Sequence, residues 1–164
     1  MEIRPIAGKD REPLASLIRR VETFSPQEVE VAIELVDLAL QPNNPDYQIL
    51  VADKGSGGAG NIVGYVCYGP TPMTEGTYDL YWIASDPTVR GQGVGAALVS
   101  GMEGDLRRRG ARLIRVETSA TEAYGPTRGF YAAMKYSEES RFRDFYKQGD
   151  DLIILAKRLQ LQQS

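Results

Sequence analysis

The sequence predicts a mixed α/β domain with a mostly antiparallel sheet of six to seven strands and about four helices. Three observations carry this expectation. Strand-like runs at 47–52, 61–68 and 78–83 follow one another with only loops between them, the order of an antiparallel meander. Three glycines in five residues, Gly91, Gly93 and Gly95, lead into a helical pattern. A further strand-like run at 111–118 follows that helix, so a strand–helix–strand unit with one parallel pair is expected. A length of 164 residues with no linker and no internal repeat suits a single domain over 1–164.

Taken in order, Ile3-Arg-Pro-Ile6 reads as a short first strand, and Pro5 suits a sheet edge. Leu14, Leu17, Ile18 and Val21 fall at helical spacing, predicting a helix over 10–24. Ser25, Pro26 and Glu28 form the start signal of a second helix: N-cap, first-turn proline and capping-box acid. Its apolar stripe is Val29, Ile33, Val36 and Leu40. The Gly55–Gly60 stretch between the next two strands reads as a hairpin tip; without a Lys-Ser/Thr and a following helix it is no phosphate loop. Cys67 lies within an apolar strand and reads as a small core residue. After Asp86-Pro87, Val94, Leu98 and Met102 line one face of a third helix, which closes on Arg107, Arg108 and Arg109 before Gly110. A short helix over 127–135 and strands over 140–147 and 151–156 complete the chain, with a frayed tail expected at 161–164.

Composition excludes several function classes. There is no histidine, which removes Ser-His-Asp triads, Cys-His pairs and His-ligated metals, and no metal is expected. One cysteine excludes an internal disulfide and fits a reducing cytoplasm. A net charge of −3 argues against a nucleic-acid or membrane partner and suits cationic acceptors. No apolar run reaches transmembrane length, and Met1-Glu-Ile-Arg-Pro5 has no signal-peptide character.

The stretch from Tyr78 to Leu106 is where a ligand is expected. A strand, a glycine-rich turn and a helix N-terminus together make an anion site, because the first-turn amides have no partner inside the helix and glycine lets backbone approach a phosphate. Gly91-Gln-Gly-Val-Gly-Ala96 satisfies the dinucleotide pattern G-x-G-x-x-[GA], and Glu117 stands where a ribose-binding acid could sit. That pattern requires parallel strands ahead of it, and hairpin-connected runs precede this one. Asp86-Pro-x-x-Arg-Gly-x-Gly-x-Gly95 closely resembles instead the [QR]-x-x-G-x-[GA] loop of the GNAT N-acetyltransferase superfamily.

A second segment, Phe130-Tyr-Ala-Ala-Met-Lys-Tyr136, is similar to that family's F-Y-x-x-[LM]-G-[FY]. It departs from it at Lys135, where glycine is usual, and Tyr124 stands where an asparagine often begins the helix. The resemblance implies a GNAT fold splayed between strands four and five, acetyl-CoA as cofactor, and acetyl transfer to a primary amine. It makes Tyr131 the general acid for the departing thiolate, a thiol having a pKa near 8.5 and a phenol near 10. It assigns the pantetheine to the backbone of Ile83, Ala84 and Ser85. The pyrophosphate falls to the loop of Arg90, Gly91, Gln92, Gly93, Val94, Gly95 and Ala96, with Tyr124 beside the cofactor.

The acceptor amine must lose a proton, and without histidine a carboxylate is the natural base. Glu117 is the first choice and Asp79 the second. Phe24, Glu75, Asp79 and Asp144 belong to segments that frame the acceptor cleft in the family. The expected activity is acetyl transfer to a small-molecule amine or amino acid. Transfer to a peptide or protein amine, and a non-catalytic acyl-CoA-sensing domain, are the alternatives. The apolar C-terminal strand offers a surface for a homodimer.

Overall fold

A computed structural model of the chain describes residues 1–55 and 61–160. Among them are seven strands, β1 (Glu2–Pro5), β2 (Gln48–Asp53), β3 (Ile62–Pro70), β4 (Thr77–Ser85), β5 (Leu113–Ser119), β6 (Ser137–Lys147) and β7 (Asp150–Arg158). The α-helices are α1 (Arg11–Arg19), α2 (Pro26–Ala39), α3 (Val94–Arg108) and α4 (Gly125–Ala133). The strand order is β1-β2-β3-β4-β5-β7-β6, with β4 and β5 parallel. Most of the proposed hairpin tip and the expected frayed tail lie outside the described residues. The chain divides into two units, 1–70 with 81–105 and 71–80 with 106–164.

In the first unit, β1 and β3 each pair antiparallel with β2, placing β1, with its proline, at the edge. Strand alternation sends side chains to two apolar faces. On one face Ile49, Val51, Tyr65 and Cys67 meet Leu14, Leu17 and Ile18 of α1 and Ala32 and Val36 of α2. On the other lies α3, packed so closely that a Cβ on Gly64 would stand 2.8 Å from Val94 Cγ1, and one on Gly101 2.8 Å from Ile3 Cγ2. Cys67 is fully buried, and burial pushes its thiol up to about 12, which makes it an inert core residue.

The α2 start is the one expected. Ser25 Oγ accepts from the Glu28 amide at 3.1 Å, and Glu28 Oε1 accepts from the Ser25 amide at 3.3 Å. This cap also explains why α1 is shorter than predicted, ending at Arg19 and not Phe24. Ser25 must be extended (φ −67°, ψ 160°) to cap α2, so the chain leaves the helix earlier, through tight turns closed by Val21 N to Ile18 O and Phe24 N to Val21 O.

In the second unit, Thr77–Leu80 pairs in parallel with Leu113–Val116, and the ladder ends there. Strand β7 pairs antiparallel with both β5 and β6, leaving β6 at the edge and exposed along its length. Both β6 and β7 extend beyond the predicted runs. Helix α4 occupies Gly125–Ala133 and not 127–135. Pro126 fits its first turn, where no amide is needed, so the helix starts earlier. Its end is set by Lys135, which adopts φ 72° and cannot continue the helix.

Candidate active site

The glycine-rich loop is built by the residues ahead of it. Asp86 accepts from the Thr88 amide at 3.0 Å, from the Thr88 hydroxyl at 2.8 Å and from Arg20 Nη2 at 2.8 Å. These donors, the Thr88 amide first, hold its carboxyl below the usual carboxylate range. The single turn Pro87–Val89 then delivers Gly91 and Gly93, both at φ 78°. A side chain at either position would be strained in this left-handed conformation, although each has open space where a Cβ would sit. The first helical bond runs from the Ala97 amide to Gly93 O at 3.0 Å. Val94, Gly95 and Ala96 therefore present first-turn amides that the helix does not use.

One expected donor is already engaged. The Gln92 amide bonds Val89 O at 3.2 Å and its side chain accepts from Lys54 at 3.2 Å, so Gln92 braces the loop. Arg90 is exposed, with its own amide turned toward Pro87 O. Ile83, Ala84 and Ser85 are half-buried at the far end of β4, past Leu80, the last residue paired with β5. Open left-handed glycines and a helix start with free amides fit a diphosphate-bearing ligand. In the same unit Phe24 packs edge to face on Trp82, ring centres 5.1 Å apart, which sets the turn after α1 against β4.

In the second unit Tyr131 is buried on α4, 2% exposed. Its ring meets Phe130 at 5.3 Å and Tyr136 at 5.6 Å, both edge to face. Burial raises its pKa above the ordinary phenol value. Tyr124 is the last residue of the turn Glu122–Tyr124 and stands at the α4 N-cap, with its amide on Thr121 O at 3.1 Å. Arg128 braces the same segment, donating to Ser119 O at 2.7 Å and Thr121 O at 2.8 Å.

The two candidate bases are joined by a residue that the sequence reading passed over. Asp79 is buried and accepts from Arg115 Nε at 2.7 Å. Arg115 Nη1 stands 3.4 Å from Glu117 Oε1, whose side chain is 46% exposed. Asp79 and Arg115 are register partners in the parallel ladder, and Arg115 and Glu117 share a face of β5 at i, i+2. The alternation Arg-Val-Glu was the signal that could have revealed the pair.

Glu75 is exposed in the loop before β4, where its carbonyl accepts from Arg112 Nε at 3.0 Å. Asp144 sits in the irregular stretch of β6 at φ 54°. Its Oδ1 accepts from the Gly149 amide at 2.7 Å, and its amide donates to Asp151 Oδ1 at 2.9 Å. An open recess there is lined by Arg141, Phe142, Arg143 and Asp144. Among the described residues no cluster of three His, Cys, Asp or Glu side chains is placed to hold a metal ion, and no helix is long and apolar enough to cross a membrane.

Comparison with known proteins gives the chain its family. Residues 15–136 match the Acetyltransferase (GNAT) family profile. A solved GNAT-family structure from Desulfovibrio desulfuricans is 38% identical, covers 96% of this chain and 98% of its own, and superposes with a TM-score of 0.89. The ribosomal-protein-S18-alanine N-acetyltransferase of Escherichia coli, 20% identical over 99% of this chain and 95% of its own, has a TM-score of 0.73. An aminoglycoside 6′-N-acetyltransferase complexed with coenzyme A, 17% identical over 100% of both chains, has one of 0.76. These last two share the fold alone. No curated protein matches the sequence. The profile match across most of the chain, together with the glycine loop and the parallel β4–β5 pair, places this protein in the GNAT family of acetyl-CoA-dependent acyltransferases.

Proposed function

We propose that this protein is an N-acetyltransferase that moves an acetyl group from acetyl-CoA to the primary amine of a small molecule or amino acid. When bound, acetyl-CoA supplies the acetyl group as an activated thioester. In this reading the amides of Gly93, Val94, Gly95 and Ala96 hold the pyrophosphate, Gly91 lets the chain turn toward it, and exposed Arg90 adds a charge. The backbone of Ile83, Ala84 and Ser85, beyond the paired part of β4, takes the pantetheine, and a backbone amide near Ile83 polarises the thioester oxygen. Tyr124, at the α4 N-cap, lies alongside the cofactor.

Glu117 takes the proton that the acceptor amine sheds as its nitrogen bonds to the acetyl carbon. As the carbon–sulfur bond breaks, Tyr131 gives its hydroxyl proton to the departing sulfur. Protons balance: one enters the Glu117 carboxylate and one leaves the Tyr131 phenol, to be re-equilibrated through solvent before the next turnover. Phe24 and the carboxylates of Glu75 and Asp144 favour a cationic acceptor.

The observation that carries catalysis over mere acyl-CoA sensing is Tyr131. Its ring packs on Tyr136 and its carbonyl accepts from the Tyr136 amide, which holds the residue in one place on α4. The test is a thiol-release screen with acetyl-CoA against spermidine, L-glutamate, kanamycin and a peptide beginning with alanine. Turnover on one of the small amines supports the proposal. Turnover on the peptide alone favours a protein acetyltransferase, and CoA binding without any turnover favours a sensor.

A further inference from the structure

Strand β5 carries a row of alternating charge that the reaction scheme uses only at its end. Arg115 lies between two carboxylates, with Nε on Asp79 at 2.7 Å and Nη1 beside Glu117 at 3.4 Å. The two contacts differ in kind. Asp79 is 7% exposed, sits directly across the parallel ladder from Arg115, and gives a short charge-assisted bond. Glu117 is a half-exposed side chain at the end of the row, and its contact at 3.4 Å is an ion pair longer than a good hydrogen bond. Charge is thus anchored inside and used outside.

This asymmetry suits a support. A carboxylate on its own at the surface samples several rotamers, and proton transfer requires one of them. A guanidinium is planar and presents donors in a fixed fork, so one edge can be locked by a buried acid while another orients a second acid. The other charged or titratable groups around Glu117 do not do this. Tyr146 lies within electrostatic range of Glu117, Asp150 and Tyr124, and the β7 residue opposite Glu117 in the ladder is Ile154, whose side chain offers no polar atom. Among the described residues, Arg115 is the cation paired with it.

We infer that Arg115, locked by buried Asp79, is a positioning residue that orients the Glu117 carboxylate to receive the proton of the acceptor amine. The inference rests on Glu117 being the base. Asp79 then has a role different from that of a base or an acceptor contact: it is the anchor at the closed end of the row.

A double-mutant cycle in kcat tests this, with the amine that turns over fastest in the thiol-release panel as the probe. Glu117→Gln should lower kcat by at least a hundredfold, the low end for loss of a general base. Arg115→Gln should lower kcat about tenfold while the KM for acetyl-CoA stays within twofold, since misplaced catalytic groups cost rate and not cofactor affinity. In the Glu117→Gln background the same change should cost less than twofold, because a residue that acts through Glu117 has nothing left to act on. Arg115→Lys should restore part of the rate. If Arg115→Gln misfolds because Asp79 is left buried and unpaired, Asp79→Asn/Arg115→Gln replaces the pair with neutral partners and should follow the same pattern. An equal loss in both backgrounds overturns the inference and leaves the base assignment standing. Wild-type kcat in Glu117→Gln overturns both.

Discussion

The backbone amide of Tyr136 donates to the carbonyl of Tyr131 at 2.9 Å, and the two rings meet edge to face with centres 5.6 Å apart. With the Lys135 amide on Ala132 O at 3.0 Å, these contacts form a Schellman motif at the end of α4, complete with its apolar contact. The residue assigned the proton transfer is therefore clamped twice, by backbone and by ring. Lys157 extends the clamp, its Nζ lying 5.5 Å from the Tyr136 ring centre and donating to Met134 O at 3.0 Å.

The motif requires a left-handed residue at Lys135. Helix α3 ends in the same motif, with Ala111 N on Leu106 O at 2.9 Å and Gly110 N on Arg107 O at 3.1 Å, but there a glycine takes the left-handed position at φ 78°. A residue with a Cβ pays about 1–2 kcal/mol for that conformation, partly offset by the extra freedom of glycine in the unfolded chain. Lys135→Gly should therefore stabilise the protein by about 1 kcal/mol, roughly 2–4 °C in melting temperature for a domain of this size. Activity should be unchanged. A lowered melting temperature would mean that the Lys135 side chain contributes more than its backbone costs.

The glycine loop predicts ligand-linked stability. CoA at a hundredfold excess over its Kd should stabilise the protein by about 2.7 kcal/mol, roughly 5–10 °C, and NAD should give no shift. Gly93→Glu forces a side chain and a negative charge onto a left-handed residue of the proposed anion site and should abolish the CoA shift. A folded Gly93→Glu variant that keeps the full shift would remove the loop from the binding site.

Acid should unfold the first unit through specific carboxylates. Arg4 donates to Asp10 at 2.7 Å and to Asp53 at 2.8 Å and lowers the pKa of both, while Asp86 is lowered by Thr88 and Arg20. A carboxylate depressed in the folded state adds stability above its unfolded pKa near 3.9 and loses it as pH falls through the folded value. Urea midpoints should hold from pH 7 to about 5 and then fall steeply. Asp10→Asn should cost about 1–3 kcal/mol at pH 7 and flatten the acid loss. An Asp10→Asn curve parallel to wild type would show that the Arg4 network does not govern acid stability.

Much of the fold was legible because its signals are local. The Ser25-Pro26-Glu28 cap, the Val94-Leu98-Met102 stripe and the Gly110 stop each depend on neighbours in sequence, and each stands as expected. The short α1 was not legible, since its apolar spacing runs on to Val21, and the demand that ends it comes from the cap of the next helix. The glycine loop could be read by pattern, but which amides it spends could not. That Gln92 bonds Val89 depends on the single turn after Pro87. The Asp79–Arg115 pair was hidden for another reason: its members are 36 residues apart and meet only through a parallel register. Lys135 was visible as a departure from the family pattern, and its φ of 72° shows what that departure costs.

The most direct measurement is the single-turnover rate of acetyl transfer for wild type and Tyr131→Phe with the same amine, across pH. The hydroxyl matters only as sulfur departs, so Tyr131→Phe should lose at least about a hundredfold in rate while acetyl-CoA affinity and circular dichroism stay at wild-type values. Because burial lifts the Tyr131 pKa above that of a free phenol, the wild-type rate should rise as the amine deprotonates and show no loss near pH 10. A Tyr131→Phe rate within about threefold of wild type, with chemistry limiting, would contradict the assignment and move the proton transfer to another donor.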